Sequence, residues 1–218
     1  MVIPARVSQV RIPQAEIVGD LGLPVRASGL VIFAHGSGSS RFSTRNRQVA
    51  EVLQSRGMGT LLLDLLRPDE EGDRAKVFDI ELLARRLVAA TRWLRGQPDL
   101  AALPVGYFGA STGAGAGLLA AAERGDEVSA VVSRGGRPDL AGSRLNAVKA
   151  PTLLIVGGRD EVVLELNQQA LAQLQAEAEL VVIPGATHLF EEAGALEEVA
   201  RLAAAWFEAR FAGGGASR

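Results

Sequence analysis

The chain has 218 residues, 48% hydrophobic and 22% charged, with a net charge of -2, two histidines and no cysteine. That is an ordinary globular balance, with length for one sizeable core and too little for two comfortable ones. It excludes a disulfide framework, a thiolate nucleophile and a cysteine or histidine-rich metal site, and it offers no field that would gather nucleic acid or an anionic membrane surface.

The first residues, MVIPARVSQVRIP, contain neither a basic n-region nor a continuous apolar h-region. No later stretch supplies roughly 18 uncharged apolar residues in a row. The expectation is a cytoplasmic protein with no membrane partner. Within residues 1–29, RVSQVRIP and AEIVGDLGLPVRA are short, partly alternating and punctuated by Gly19, Gly22 and Pro24. That pattern predicts an antiparallel hairpin at a sheet edge.

From residue 30 onward, short apolar runs alternate with longer segments of helical period. The predicted strands are LVIFA (30–34), TLLLDLL (60–66), VGYFGA (105–110), VSAVVS (128–133), TLLIVGG (152–158) and LVVIP (180–184). Runs that are apolar throughout are buried on both faces, as in a parallel sheet covered by helices. Residues 78–96, FDIELLARRLVAATRWLRG, carry apolar side chains at three- and four-residue spacing and predict a helix. A last helix is expected over about 196–211, with a flexible tail over 212–218. The whole predicts one doubly wound α/β domain over 1–218. The longest candidate loop, RPDEEGDRAK (67–76), is too short for a cap domain.

Chemistry concentrates after the third of those runs. Gly109-Ala110-Ser111-Thr112-Gly113 matches G-x-S-x-G, with a strand before it and a small-residue helix after it. In such a nucleophile elbow the serine sits on a sharp, strained turn, and side chains two residues to either side would collide. The bare motif is weak in a chain with 25 glycines. A phosphate-binding loop is the competing reading, but GASTGAGAG lacks the P-loop lysine, and a dinucleotide fingerprint belongs in the first βαβ unit.

A serine hydroxyl needs a base, and the base needs an acid to orient it, in the chain order Ser, Asp or Glu, His on this kind of sheet. Only His188, in PGATHLF, lies downstream. Asp160, closing TLLIVGGRD, is the expected acid, ahead of Glu161, Asp139 and Asp64. The oxyanion donors are expected from the Thr112 N–H and from the loop His35-Gly36-Ser37-Gly38-Ser39-Ser40, with Ser37 first and Gly38 second. His35 reads as structural. Gly38, Arg41 and Arg134 are candidate substrate contacts, an arginine being suited to a carboxylate or phosphate; Arg134 is alternatively a loop brace. No cofactor or metal is expected.

FAHGSGSS, GASTGAGAG, VVSRGGRPDLAG, APTLLIVGGRD and PGATHLFEE together resemble the α/β-hydrolase superfamily, over about residues 5–211. Within it they resemble the dienelactone hydrolase-like branch, in particular hydrolase domains found alone or joined to phosphoribosyltransferase domains. The resemblance implies an α/β-hydrolase fold with Ser111 as nucleophile, Asp160 as acid and His188 as base. Authentic dienelactone hydrolases use a cysteine nucleophile and a helper glutamate in the oxyanion loop. This chain has neither, so the expectation is a serine esterase acting on a small-molecule, short-chain ester. A thioesterase or acyltransferase would use the same residues, and a non-catalytic binding module is the reading from another class. Candidate partners are a second copy of the chain and a phosphoribosyltransferase.

Overall fold

The computed structural model describes residues 5–212. Its centre is one eight-stranded sheet: β1 (Arg6–Ile12), β2 (Ile17–Leu23), β3 (Leu30–Ala34), β4 (Gly59–Leu63), β5 (Val105–Ala110), β6 (Val128–Arg134), β7 (Thr152–Gly157) and β8 (Ala178–Ile183). The spatial order is β1-β2-β4-β3-β5-β6-β7-β8. β1 and β2 form the antiparallel hairpin read from the sequence, and β2 joins β4 antiparallel; all other pairings are parallel.

The burial pattern explains why the strand sequences look as they do. β3, β4, β5 and β7 are buried at every position, because helices cover both faces. On one face pack α3 (Ile80–Arg95), α4 (Thr112–Arg124) and α5 (Glu161–Leu171), with Leu87, Leu94, Leu118 and Ala170 in the core. On the other pack α1 (Thr44–Ser55) and α6 (Ala195–Ala212), with Val49, Leu53, Val199 and Phe207. β1, mostly exposed, is the sheet edge.

Several boundaries differ from the sequence reading for local reasons. β4 stops at Leu63 rather than 66: the Asp64 N–H still reaches β2 at the Val18 carbonyl (3.0 Å), but the Leu65 N–H turns away to His35 Nε2 (3.0 Å). α3 starts at Ile80, where Asp79 caps it by accepting the Leu82 N–H at 2.8 Å. The segment 67–76 contains most of a four-residue helix, α2 (Arg74–Val77). β6 runs one residue further than expected and ends on Arg134. Of the expected tail, Ala212 still belongs to α6 and 213–218 lie outside the described residues. No helix among the described residues is long and apolar enough to cross a membrane.

Candidate active site

The C-terminal ends of the parallel strands carry every residue singled out above for catalysis. Ser111 links β5 to α4 at φ 51° and ψ -124°, a conformation that costs a non-glycine residue about 1–3 kcal/mol. Its backbone is held on both sides. The Ser111 N–H donates to the Arg134 carbonyl (3.3 Å), and its own carbonyl accepts from Ala114 (3.0 Å) and Arg137 (3.0 Å). The two elbow glycines are sterically required. A Cβ on Gly109 would stand 2.4 Å from Ala114 Cα, and one on Gly113 would stand 2.3 Å from the Ala34 carbonyl oxygen. That contact presses the first turn of α4 against the end of β3, and so against the oxyanion loop.

Asp160 precedes α5 and makes no cap bond with its side chain, which is turned instead to His188: Oδ2 lies 2.6 Å from Nδ1. Two amides tie that turn down, Asp160 N–H to Gly157 (3.0 Å) and Arg159 N–H to Ala186 (2.9 Å). With Nδ1 committed to the carboxylate, Nε2 is the ring nitrogen left for a base. His188 borders Gly135, where a Cβ would meet its carbonyl oxygen at 3.2 Å and Nδ1 at 3.5 Å. Gly135 follows the residue whose carbonyl holds the Ser111 amide, so base and nucleophile share one corner of the sheet. No hydrogen bond joins Ser111 Oγ to His188 among the described residues, and such bonds commonly tighten only with substrate. Glu161 is exposed and Asp139 pairs with Arg137 at 2.7 Å, so among the described residues it is Asp160 that bonds His188.

The histidine loop has two anchors that sequence reasoning missed. Glu192 Oε2 accepts the Thr187 N–H at 3.1 Å, and that bond holds its carboxyl below the usual carboxylate range. Phe190, in a left-handed conformation (φ 56°) and only 2% exposed, plugs into the α1/α6 side of the core. A carboxylate four residues after a histidine in THLFEE was the legible signal.

The loop between β3 and α1 is held differently. Ser37, Gly38 and Ser39 are exposed, and little packs on them. His35 is buried and neutral: Nδ1–H donates to the Gly36 carbonyl (2.9 Å) while Nε2 accepts the Leu65 N–H. Burial pushes its pKa down, against smaller opposing pulls from the Gly36 bond and from Asp64 and Glu71. The Ser37 N–H donates to the Thr112 hydroxyl at 2.9 Å. Thr112 is also the first residue of α4, where an N–H has no partner within the helix.

A cavity of about 300 Å³ opens beside this loop, lined by Ser37, Gly38, Leu66, Glu71, Val77 and Leu83 among others. Its far wall, the segment 66–77, is fastened from below. Buried Glu70 accepts from Arg86 of α3 (2.7 Å) and from the Arg67 N–H (3.0 Å).

Gly38 therefore lies on a cavity, but the two arginines expected beside it are placed elsewhere. Arg41 gives its backbone N–H to Asp64 (2.8 Å) and its guanidinium to Asp64 and Asp20. Arg134 is 8% exposed beneath the histidine loop, 3.5 Å from Asn46 Oδ1 and 6.0 Å from the Phe190 ring centroid. Burial, reinforced by Arg45, pushes its pKa down to about 10. Among the described residues it bonds no backbone carbonyl either, so the expected form of brace is corrected to packing against Phe190. Among the described residues no cluster of His, Asp and Glu could hold a metal ion.

Comparison with known proteins agrees with this architecture. A crystal structure of a dienelactone hydrolase from Anabaena variabilis is 58% identical and superposes with a TM-score of 0.91, over 94% of this chain and 97% of that one. Est1E from Butyrivibrio proteoclasticus, with ferulic acid bound, shares the fold at 20% identity and a TM-score of 0.77, over 90% of this chain and 97% of that one. A Mycobacterium tuberculosis protein provisionally named a phosphoribosyl transferase is 64% identical over 201 residues, 92% of this chain but 45% of its own length. The chain thus spans about half the length of the curated relatives it matches. The family model for dienelactone hydrolases matches residues 24–210, and the chain belongs to the dienelactone hydrolase family.

Proposed function

We propose that this member of a hydrolase family is a serine esterase that cleaves short-chain carboxylic esters through an acyl-enzyme. The observation that carries the reading is the 2.6 Å Asp160–His188 pair at the sheet corner where Ser111 is held in its strained turn. Ser111 Oγ attacks the ester carbonyl while His188 Nε2 takes its proton. The negative charge that develops on the carbonyl oxygen is received by the N–H groups of Ser37 and Thr112. Collapse of this intermediate expels the alcohol with the proton from His188. Water then attacks the acyl-enzyme, gives its proton to His188, and the acid leaves as Ser111 regains that proton. Asp160 keeps the imidazole in the correct tautomer and offsets its charge. The cavity of about 300 Å³, walled in part by Ser37 and Gly38 though not by Ser111 or His188, has the size for a small acyl or alcohol group.

The test is turnover of p-nitrophenyl acetate, butyrate and octanoate, a thioester and a lactone by wild type and Ser111→Ala. The reading requires hydrolysis of the short esters that falls on the order of 10⁶-fold in the variant. Turnover that survives the substitution contradicts it; preference for the thioester would move the substrate class and keep the residues. The half-length match to proteins named for phosphoribosyl transfer also supports a phosphoribosyltransferase as partner, which co-purification of the two would test.

A further inference from the structure

The Gly36–Ser37 peptide has an unusual set of partners. Its carbonyl accepts from His35 Nδ1–H (2.9 Å) and from the Ser39 N–H (3.2 Å), while its N–H donates to the Thr112 hydroxyl (2.9 Å). On its Ser37 side the loop leaves that peptide room to turn, whereas Gly36 backs onto the elbow, where a Cβ would stand 3.0 Å from Ser111 Cβ. Ser37 to Ser39 are exposed, and a side chain grown from Gly38 would meet nothing within 4 Å. A peptide plane that rotates by half a turn exchanges a donor for a carbonyl oxygen, and a carbonyl aimed at a developing oxyanion repels it.

We propose that the Thr112 side chain is a positioning residue for the oxyanion hole, its hydroxyl keeping the Ser37 N–H turned toward the elbow. The inference rests on the esterase reading above and adds a second task to a residue whose backbone N–H was the only part assigned. The chemistry suits the task. A neutral hydroxyl is a weaker acceptor than an oxyanion, so it can hold the Ser37 amide in the resting enzyme and yield it as charge develops. Thr112 is itself rigid: only 5% exposed, β-branched, and in the first turn of α4, which Gly113 presses against Ala34 and His35. Its hydroxyl therefore stands at a fixed distance from the elbow, and the exposed loop is referenced to it.

The decisive variant is Thr112→Val, which keeps volume and branching and removes the acceptor, with Thr112→Ser as the conservative rescue. With p-nitrophenyl acetate as probe, Thr112→Val should lose ~10²-fold in kcat, the scale of one oxyanion donor, with KM little changed. Melting temperature should stay at the wild-type value, and Thr112→Ser should recover most of the turnover. Wild-type kcat in Thr112→Val overturns the inference, and so does a kcat above wild type, which would make the hydroxyl an obstruction. A loss that follows melting temperature and is not rescued by serine overturns it too, by making Thr112 a packing residue. If wild type shows no Ser111-dependent turnover, both readings fall; a silent Thr112→Val beside an inactive Ser111→Ala removes this one alone.

Discussion

The nucleophile elbow and the oxyanion loop face each other across the site and are built on opposite principles. At the elbow, backbone packs on backbone: Gly109 and Gly113 have no room for a methyl group, and the Ser111 carbonyl takes two amides. In the oxyanion loop three consecutive residues are exposed and the geometry depends on a few hydrogen bonds: the Gly36 carbonyl accepts from His35 and the Ser39 N–H, and the Ser37 N–H donates to the Thr112 hydroxyl. The strained, nucleophile-bearing segment is held by sterics that no side-chain rotation can release. The part that must pass a donor from one acceptor to another is held by bonds that can exchange.

After Ser111→Ala, the largest effect should come from the acid. Asp160→Asn keeps the shape and favours the wrong imidazole tautomer, so kcat should fall by ~10⁴ while Glu161→Gln stays near wild type. Damage from Glu161→Gln instead would mean that the 2.6 Å pair is not the working one.

Gly113→Ala attacks the elbow itself. With the Ala34 oxygen 2.3 Å from the new methyl, α4 has to move away from β3, at about 1–3 kcal/mol of overpacking, with turnover lost at the same time. Gly38→Ala is the matched change in the loop. Nothing obstructs the methyl, so only the positive φ of 70° is penalised, by about 1–2 kcal/mol. Denaturant unfolding and turnover of the two variants test the contrast directly. If Gly38→Ala is the more damaging to stability, the division between a packed elbow and a bonded loop is wrong.

Much of this division was visible in the sequence. GASTG states the steric demand outright, because glycines at both flanks have few other reasons to coincide with a strand-to-helix junction. The parallel strands were legible from their uninterrupted apolar runs, and Asp160 and His188 from their places after such runs. The strand ends were less so: Leu65 belongs to an apolar run, yet its amide leaves the ladder for the His35 ring. Arg134 sits at the right edge of the sheet, but strand alternation turns its side chain under Phe190, and no local pattern announces which face a strand's last residue takes. Nor can spacing reveal that a threonine hydroxyl and a serine amide 75 positions apart are hydrogen-bonded.

The smallest expected effect is a pH dependence of stability through His35. Its folded pKa lies below the ordinary value of 6.5, so between the two values the unfolded chain binds a proton that the folded chain excludes. The contribution is neutral above about pH 6.5, and stability declines as the pH falls below it. Melting temperature from pH 7.5 to 5.5 should drop more steeply in wild type than in His35→Gln. Parallel curves would show that His35 is not the group responsible.

The central claim is that Ser111 is an activated nucleophile oriented by His188 and Asp160. A fluorophosphonate probe reads this without knowledge of the natural substrate, since it phosphonylates only a serine whose proton a neighbouring base can remove. Incubation with the probe followed by peptide mass spectrometry should give one adduct per chain, on Ser111, strongly slowed in Asp160→Asn and absent in Ser111→Ala. An unlabelled wild-type chain, or equal labelling of Ser111→Ala, would contradict the account.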